Sequence, residues 1–203
     1  LGGHDPYSAS KAAAEMIIAG YRSLDNSPPI ISVRAGNIVG GGDWGKDRLI
    51  PDIVRALAKK QSVVLRNPTF TRPWQHLLDC LSGYLAVAEV HFSKTSAQGV
   101  GYDGVYNFGP SSDFTLTVGE ITDRFIDAWG EGSWRDGSID GANSQTEALT
   151  LGLNPTKAMT ELNWRPQWQI DQAIDCTARW YREQASGTNA RVLCERQIAA
   201  WTG

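Results

Sequence analysis

Near the start of the chain, "DPYSASKAAAE" sets a tyrosine and a lysine four residues apart, Tyr7 and Lys11. On a helix that spacing places both side chains on one face, one turn along. A cation beside a phenol favours its ionised form, so such a tyrosine can act as acid or base toward a hydroxyl or a carbonyl. The same two residues also suit an ordinary exposed helix start, and the spacing alone leaves both readings open. A second pattern with apparent chemistry is Gly40, Gly42 and Gly45, which spell G-x-G-x-x-G after an apolar run. A dinucleotide-binding turn of that kind has an acidic residue about 20 positions further on to hold a ribose. Here that region reads "KKQSVVLRN", and Asp43 and Trp44 would crowd the close backbone approach the motif permits. The loop is therefore expected to be a flexible part of a substrate site rather than a pyrophosphate cradle.

The elements that must position these residues alternate between helix and strand signals. Asp5 can cap a helix whose first position is Pro6, with Ala12, Met16 and Ala19 and also Ala13 and Ile17 recurring at helical spacing until "DNSPP". "IISVRAGNIV" reads as one buried strand, followed by the loop "GGGDWGKD" and a helix from about Arg48 to Lys60. "SVVLRN" predicts another strand, Asp79 to Phe92 a helix, and "GVYNFG" a strand closed by glycine. Beyond Pro110 the spacing predicts a helix from Val118 to Trp129, short strands around "EALTL", and helices over Pro155–Leu162 and Ile170–Ala185. Trp129, Trp134, Trp164, Trp168 and Trp180 concentrate aromatic mass in this later part.

Composition bounds the function. At 203 residues and 41% hydrophobic content the chain can bury a sizeable core. A net charge of −3 and a pI near 5.6 argue against a nucleic-acid surface, which needs clustered basic residues. Cys80, Cys176 and Cys194 form no C-x-x-C pair and no disulfide framework, which points to a reducing compartment, with no metal site expected. The first residues lack the basic and apolar regions of a signal peptide, and no apolar run reaches the ~18 residues of a spanning helix. A cytoplasmic protein with no membrane partner is expected.

"DPYSASKAAAE" followed by "SVRAGNIVG" resembles the extended short-chain dehydrogenase/reductase superfamily. More narrowly, "GGHDPYSASK", "RAGNIVGGGDWGKDRLIPD", "RNPTFTRPWQHLLD", "YNFGP" and "LNWRPQW" resemble the CDP-glucose 4,6-dehydratase family, through most of the chain. Thr146 stands where that family usually has a histidine, and Glu147 beside it is given no role. The resemblance implies NAD as cofactor. It accepts hydride from C4 of the glucose ring while the tyrosine removes the 4-hydroxyl proton, water leaves from C6, and the hydride returns to C6. Tyr7 and Lys11 match the catalytic and cofactor-binding roles. Arg66 and Arg72 are the candidates for the substrate diphosphate, because planar guanidinium suits phosphate oxygens. The resemblance further implies that Asn37 and Asn107 bond the nucleotide sugar and that Leu49, Ile50 and Pro51 line the nucleotide side of the cleft. Each has a plainer alternative. Leu49 and Ile50 can be core residues, and Arg72 a stacked surface arginine. Arg34 can pair within the fold, Arg48 can be solvated, and His76 can be structural.

The expected architecture is α/β: the C-terminal portion of a Rossmann-like NAD(P)-binding fold with a smaller α/β substrate-binding region. Residues of about 1–39 and 76–109 would form the Rossmann-like part, and about 40–75 and 110–203 the nucleotide-sugar part. The family's N-terminal strand and glycine-rich loop are not among these residues, so the chain is expected to be an incomplete subunit. Its partner would be CDP-glucose or a related nucleotide sugar, and the full subunit is expected to form a homo-oligomer. Another nucleotide-sugar dehydratase or epimerase, or a non-catalytic nucleotide-sugar-binding fragment, are the alternatives.

Overall fold

In a computed structural model of the chain, residues 5–98, 104–111, 115–138 and 148–203 are described. Thr146 and Glu147 lie outside them. Helix α1 (Pro6–Arg22) begins where the Asp5 carboxylate accepts the Ser8 N–H at 3.0 Å and Pro6 takes the first helical turn. Its partly buried residues, Ser8, Ala12, Glu15, Ile18 and Arg22, recur every three or four positions, and none of its residues is fully buried. Arg22 fastens that stripe to the sheet by donating to the Ile30 and Gly104 carbonyls, each at 2.8 Å, and to the Ser32 hydroxyl at 3.0 Å.

The apolar run expected to be one strand is two. Strand β1 (Ile31–Ala35) and strand β2 (Asn37–Val39) part at Gly36, and they pair with different partners. A Cβ at Gly36 would run into the Pro73 carbonyl, so only glycine lets the chain pass this crossing. Strand β3 (Val63–Leu65) follows helix α2 (Leu49–Ala58), and strands β4 (Thr71–Arg72) and β5 (Trp74–His76) flank Pro73. Helix α3 (Leu77–Gln98) runs on directly from β5 and leads toward strand β6 (Gly104–Phe108). β1 pairs with β6 and β2 with β5, both parallel. The short strand β7 (Leu116–Thr117) pairs antiparallel with β4, and β8 (Trp134–Asp136) pairs parallel with β3.

Helix α4 (Val118–Trp129) has the limits its sequence predicts. Thr117 and Glu120 form a reciprocal capping box, and Gly130 ends the helix at φ 101°. Helices α5 (Thr156–Glu161) and α6 (Ile170–Ala185) also fall where expected, whereas α7 (Ala190–Thr202) has no counterpart in the sequence reading. Of the expected strands near "EALTL", the described part makes an isolated parallel bridge between Thr150 and Thr71. The larger core joins α2, β3, α4 and α6 through Ile53, Leu65, Ile121, Phe125, Ile174 and Trp180. A smaller cluster gathers Val87, Tyr106, Phe108, Ala158 and Trp164. The three cysteines are free thiols. Among the described residues no helix is long and apolar enough to cross a membrane, and no group of three or more side chains could hold a metal ion.

Candidate functional site

The cap at Asp5 decides where Tyr7 sits. It starts α1 so that Tyr7 and Lys11 face the same way, with the Lys11 ammonium 5.6 Å from the Tyr7 ring centroid. Both are exposed, Tyr7 at 72% of its surface. Neither is buried by the packing of the chain, which holds α1 farther along the same face, through Glu15, Ile18 and Arg22, with the ion pair of Glu15 with Arg34 at 2.8 Å. That pairing is the within-fold role open to Arg34. It also holds the Glu15 carboxyl below the usual range, chiefly through the Arg34 hydrogen bond.

Gly36 is the second organising point. Its N–H donates to the Phe108 carbonyl at 2.9 Å, while the next residue, Asn37, donates its N–H to the Pro73 carbonyl at 2.9 Å. The fork brings together three candidates: Asn37, just past the carboxyl end of β1, Asn107, next to the last residue of its parallel partner β6, and Arg72, which ends the antiparallel strand β4 beside Pro73. Crevices at such points, where neighbouring strands diverge, are the usual ligand sites of α/β sheets. Asn107 donates its side-chain N–H to the Asn154 carbonyl at 3.2 Å, but its Oδ1 is buried without a hydrogen-bond partner. An orphaned acceptor of that kind is a place for a ligand or water donor. An open cleft of about 320 Å³ lies alongside, between Pro73, Pro110, Ser111, Thr115, Leu153 and Asn154.

Arg72 is not at the surface. It is 6% exposed, its guanidinium donates to the Thr71 carbonyl at 2.7 Å and the Ala148 carbonyl at 3.0 Å, and it stacks on Phe70 with 5.4 Å to the ring centroid. Arg66 is in a different place. Half-exposed, it reaches Asp47 in the loop before α2, at 3.8 Å from the carboxylate and 3.4 Å from the carbonyl. Leu49, Ile50 and Pro51 open α2 just beyond that loop. Ile50 and Pro51 are buried in the helix's inner face, and Leu49 packs against the core from its edge. Packing therefore occupies the Ile50 and Pro51 side chains, and what this stretch can offer a ligand is its backbone and Leu49.

The loop from Gly40 to Arg48 is tied down rather than free. Tyr181 donates its hydroxyl to the Asp43 carbonyl at 2.7 Å, and Arg55 donates to the carbonyls of Trp44 and Gly45 at 3.1 and 2.9 Å. Asp43 accepts from the Gly45 N–H at 2.9 Å and from Arg48 at 3.0 Å, so Arg48 is paired and not merely solvated. The expectation of flexibility is corrected accordingly. A dinucleotide pyrophosphate needs glycines that leave room for it. Here a Cβ at Gly41 would overlap the Trp180 indole, and one at Gly40 would stand 3.0 Å from Leu77. These glycines serve the approach of the loop to α6 and α3. Among the described residues this loop therefore does not fit a dinucleotide pyrophosphate, while Tyr7 and Lys11 stand exposed on one face of α1.

His76 ends β5 and caps α3, its Nδ1 accepting the Leu78 N–H at 3.2 Å. Its Nε2 is buried without a partner, and burial lowers its pKa to about 4. Asp79, read in the sequence only as a helix start, is fully buried and accepts hydrogen bonds from Gln167, Trp168 and Trp201. A carboxylate in the first turn of a helix is an ordinary sequence signal, so nothing local announced partners so far away.

Residues 2–109 match the NAD dependent epimerase/dehydratase family, and the chain belongs to that family. It is 38% identical over 208 residues to the CDP-glucose 4,6-dehydratase of Salmonella typhimurium, an alignment covering 98% of this chain and 56% of that protein. It is 25% identical to a dTDP-glucose 4,6-dehydratase of Escherichia coli, over 87% of this chain and 47% of the relative. Among solved structures it resembles the dTDP-glucose 4,6-dehydratase DesIV of Streptomyces venezuelae with NAD and TYD bound. The TM-score is 0.75 and the identity 25%, covering 92% of this chain and 53% of that one. The UDP-glucose 4-epimerase of Bifidobacterium longum in complex with NAD+ and UDP shares the fold at TM-score 0.75 and 20% identity, over 93% and 58% of the two chains. The architecture is therefore α/β, the C-terminal portion of a Rossmann-like NAD(P)-binding fold. The chain spans about half the length of the curated relatives it matches.

Proposed function

We propose that this chain is the substrate-binding and proton-transfer portion of a CDP-glucose 4,6-dehydratase. The observation that carries the reading is the 38% identity to the Salmonella enzyme across 98% of the chain. NAD, bound mainly by residues outside this chain, would supply the hydride acceptor and donor. Tyr7 takes the proton from the sugar hydroxyl, and Lys11 holds positive charge one helical turn away as the phenolate forms. Arg72, pre-set by its carbonyl contacts, and Arg66, at the loop before α2, meet the diphosphate. Asn37 and Asn107 orient the nucleotide sugar at the Gly36 fork, where the unpartnered Asn107 Oδ1 accepts a ligand donor. Leu49 and the backbone of Ile50 and Pro51 border the nucleotide. In this scheme residues of about 1–39 and 76–109 face the cofactor, and about 40–75 and 110–203 hold the nucleotide sugar.

The test uses a subunit in which residues 1–203 follow an N-terminal dinucleotide-binding half. CDP-glucose, with no external hydride donor, is expected to lose one water by mass spectrometry. Tyr7→Phe in the same subunit is expected to lower turnover by ~10²–10⁴-fold with little change in substrate affinity. Faster turnover of dTDP-glucose, inversion at C4, or a near-normal rate in Tyr7→Phe would refute the assignment.

A further inference from the structure

Asp79 joins three parts of the chain that are remote in sequence. Its Oδ1 accepts the Gln167 N–H at 2.8 Å and the Trp201 indole N–H at 2.9 Å, and its Oδ2 accepts the Trp168 N–H at 3.4 Å. Its own carbonyl accepts the Trp164 indole N–H at 3.1 Å. α3, the 164–168 segment and the last turn of α7 thus converge on one residue with no exposed surface. Burying a carboxylate is costly unless its lone pairs are met, and here three donors meet them.

The position of this residue connects it to the candidate site. Asp79 lies three residues beyond β5, and Trp168, whose N–H it holds, packs on His76 with ring centroids 4.5 Å apart. Trp168 also faces Trp74, Gln75 and Leu116 across a narrow cleft of about 30 Å³. Trp74 donates its indole N–H to the Leu116 carbonyl at 3.2 Å, and Leu116 is the residue opposite Arg72 in the β4–β7 pair. α7 is otherwise held lightly: Leu193 is its one buried residue, with Gln197 donating to the Cys176 carbonyl at 2.8 Å and Arg196 pairing with Glu183 at 2.8 Å. A helix so lightly packed that ends on a buried carboxylate has the form of a strap.

We propose that Asp79 is a positioning residue for the nucleotide-sugar site and that α7, through Trp201, is the strap that keeps its carboxylate in place. The carboxylate fixes Trp168, Trp168 backs β5 at His76 and Trp74, and β5 with β7 sets the strand that carries Arg72. The ligand whose binding this tunes rests on the reading given under Proposed function; the mechanical coupling does not.

The experiment compares the complete subunit with its Trp201→Phe, Asp79→Asn, Arg72→Ala and Trp201→Phe/Arg72→Ala variants. Trp201→Phe keeps an aromatic ring at the site while removing the N–H together with the five-membered ring, so it tests the strap even where Asp79→Asn folds poorly. Hydrogen exchange by mass spectrometry is expected to quicken in peptides from 163–170 and 71–80 and to stay unchanged in α4. Affinity for CDP-glucose is expected to fall by about 2- to 30-fold in Trp201→Phe with kcat within about twofold, the span of a 0.5–2 kcal/mol coupling. In the double variant the loss is expected to match that of Arg72→Ala alone, because both changes act through one contact. Exchange that quickens equally in α4, or losses that simply add, would overturn the proposal. Unchanged affinity in Arg72→Ala would defeat the assigned role of Arg72, while the exchange pattern would still decide for or against the strap.

Discussion

At the scale of single residues, the buried imidazole of His76 gives the chain a pH dependence whose sign follows from its environment. Its Nδ1 must be unprotonated to accept the Leu78 N–H, and burial lowers its pKa from 6.5 to about 4. The folded state thus prefers the neutral ring. Stability from this group is complete above about pH 6.5 and is lost as pH falls toward 4, by roughly 3 kcal/mol for a shift of that size. Asp79 next to it works the other way. Burial raises its carboxyl, so protonation in acid favours the fold and offsets part of the loss. Thermal melts from pH 7 to 4.5 are expected to fall more steeply in the parent chain than in His76→Asn, where an amide oxygen can still cap α3 without titrating. Parallel curves would show that His76 does not govern the acid limb.

At the scale of elements, the loop between β2 and α2 depends on a helix far along the chain. Gly41 has no room for a side chain because the Trp180 indole of α6 lies against it. Gly41→Ala is expected to destabilise the protein by about 1–3 kcal/mol through overpacking. Gly20, on the open face of α1, has nothing within 4 Å of a Cβ. Gly20→Ala is expected to stabilise by up to about 1 kcal/mol, because alanine is the better helix former. Denaturant melts of the two variants, moving in opposite directions, check both. A neutral Gly41→Ala would mean that α6 does not seat the loop, and with it that the approach to Leu49 is less fixed than the contacts indicate.

At the scale of the molecule, α1 and β1 leave apolar surface and backbone uncovered. Met16, Ile17, Tyr21 and Leu24 are each more than half exposed, and among the described residues β1 pairs with β6 alone. An apolar stripe beside an open strand edge favours association. The purified 203-residue chain is expected to run heavier than its 22.2 kDa in light scattering and to bind NAD more weakly than micromolar in calorimetry. A monomer with micromolar NAD affinity would contradict both expectations and the reading of the Gly40–Gly45 loop.

What the sequence determined by itself is what one turn or one cap can hold. Asp5 and Pro6 mark the start of α1, Thr117, Glu120 and Gly130 bound α4, and Tyr7 and Lys11 share a face because four residues make about one turn. The long motifs carried the family. Only the tertiary structure decided that "IISVRAGNIV" breaks at Gly36 into strands with different partners, since strand pairing answers to neighbours distant in sequence. It alone buried Arg72, seated Ile50 and Pro51 in the core and found a partner for Asp79 122 residues away in Trp201. The helix α7 went unread because its apolar residues, Val192, Leu193, Ile198 and Trp201, form no single stripe, and its place is set by contacts with α6 and α3. Local signals need only neighbours within a turn; burial and the pairing of polar groups need the whole chain in place.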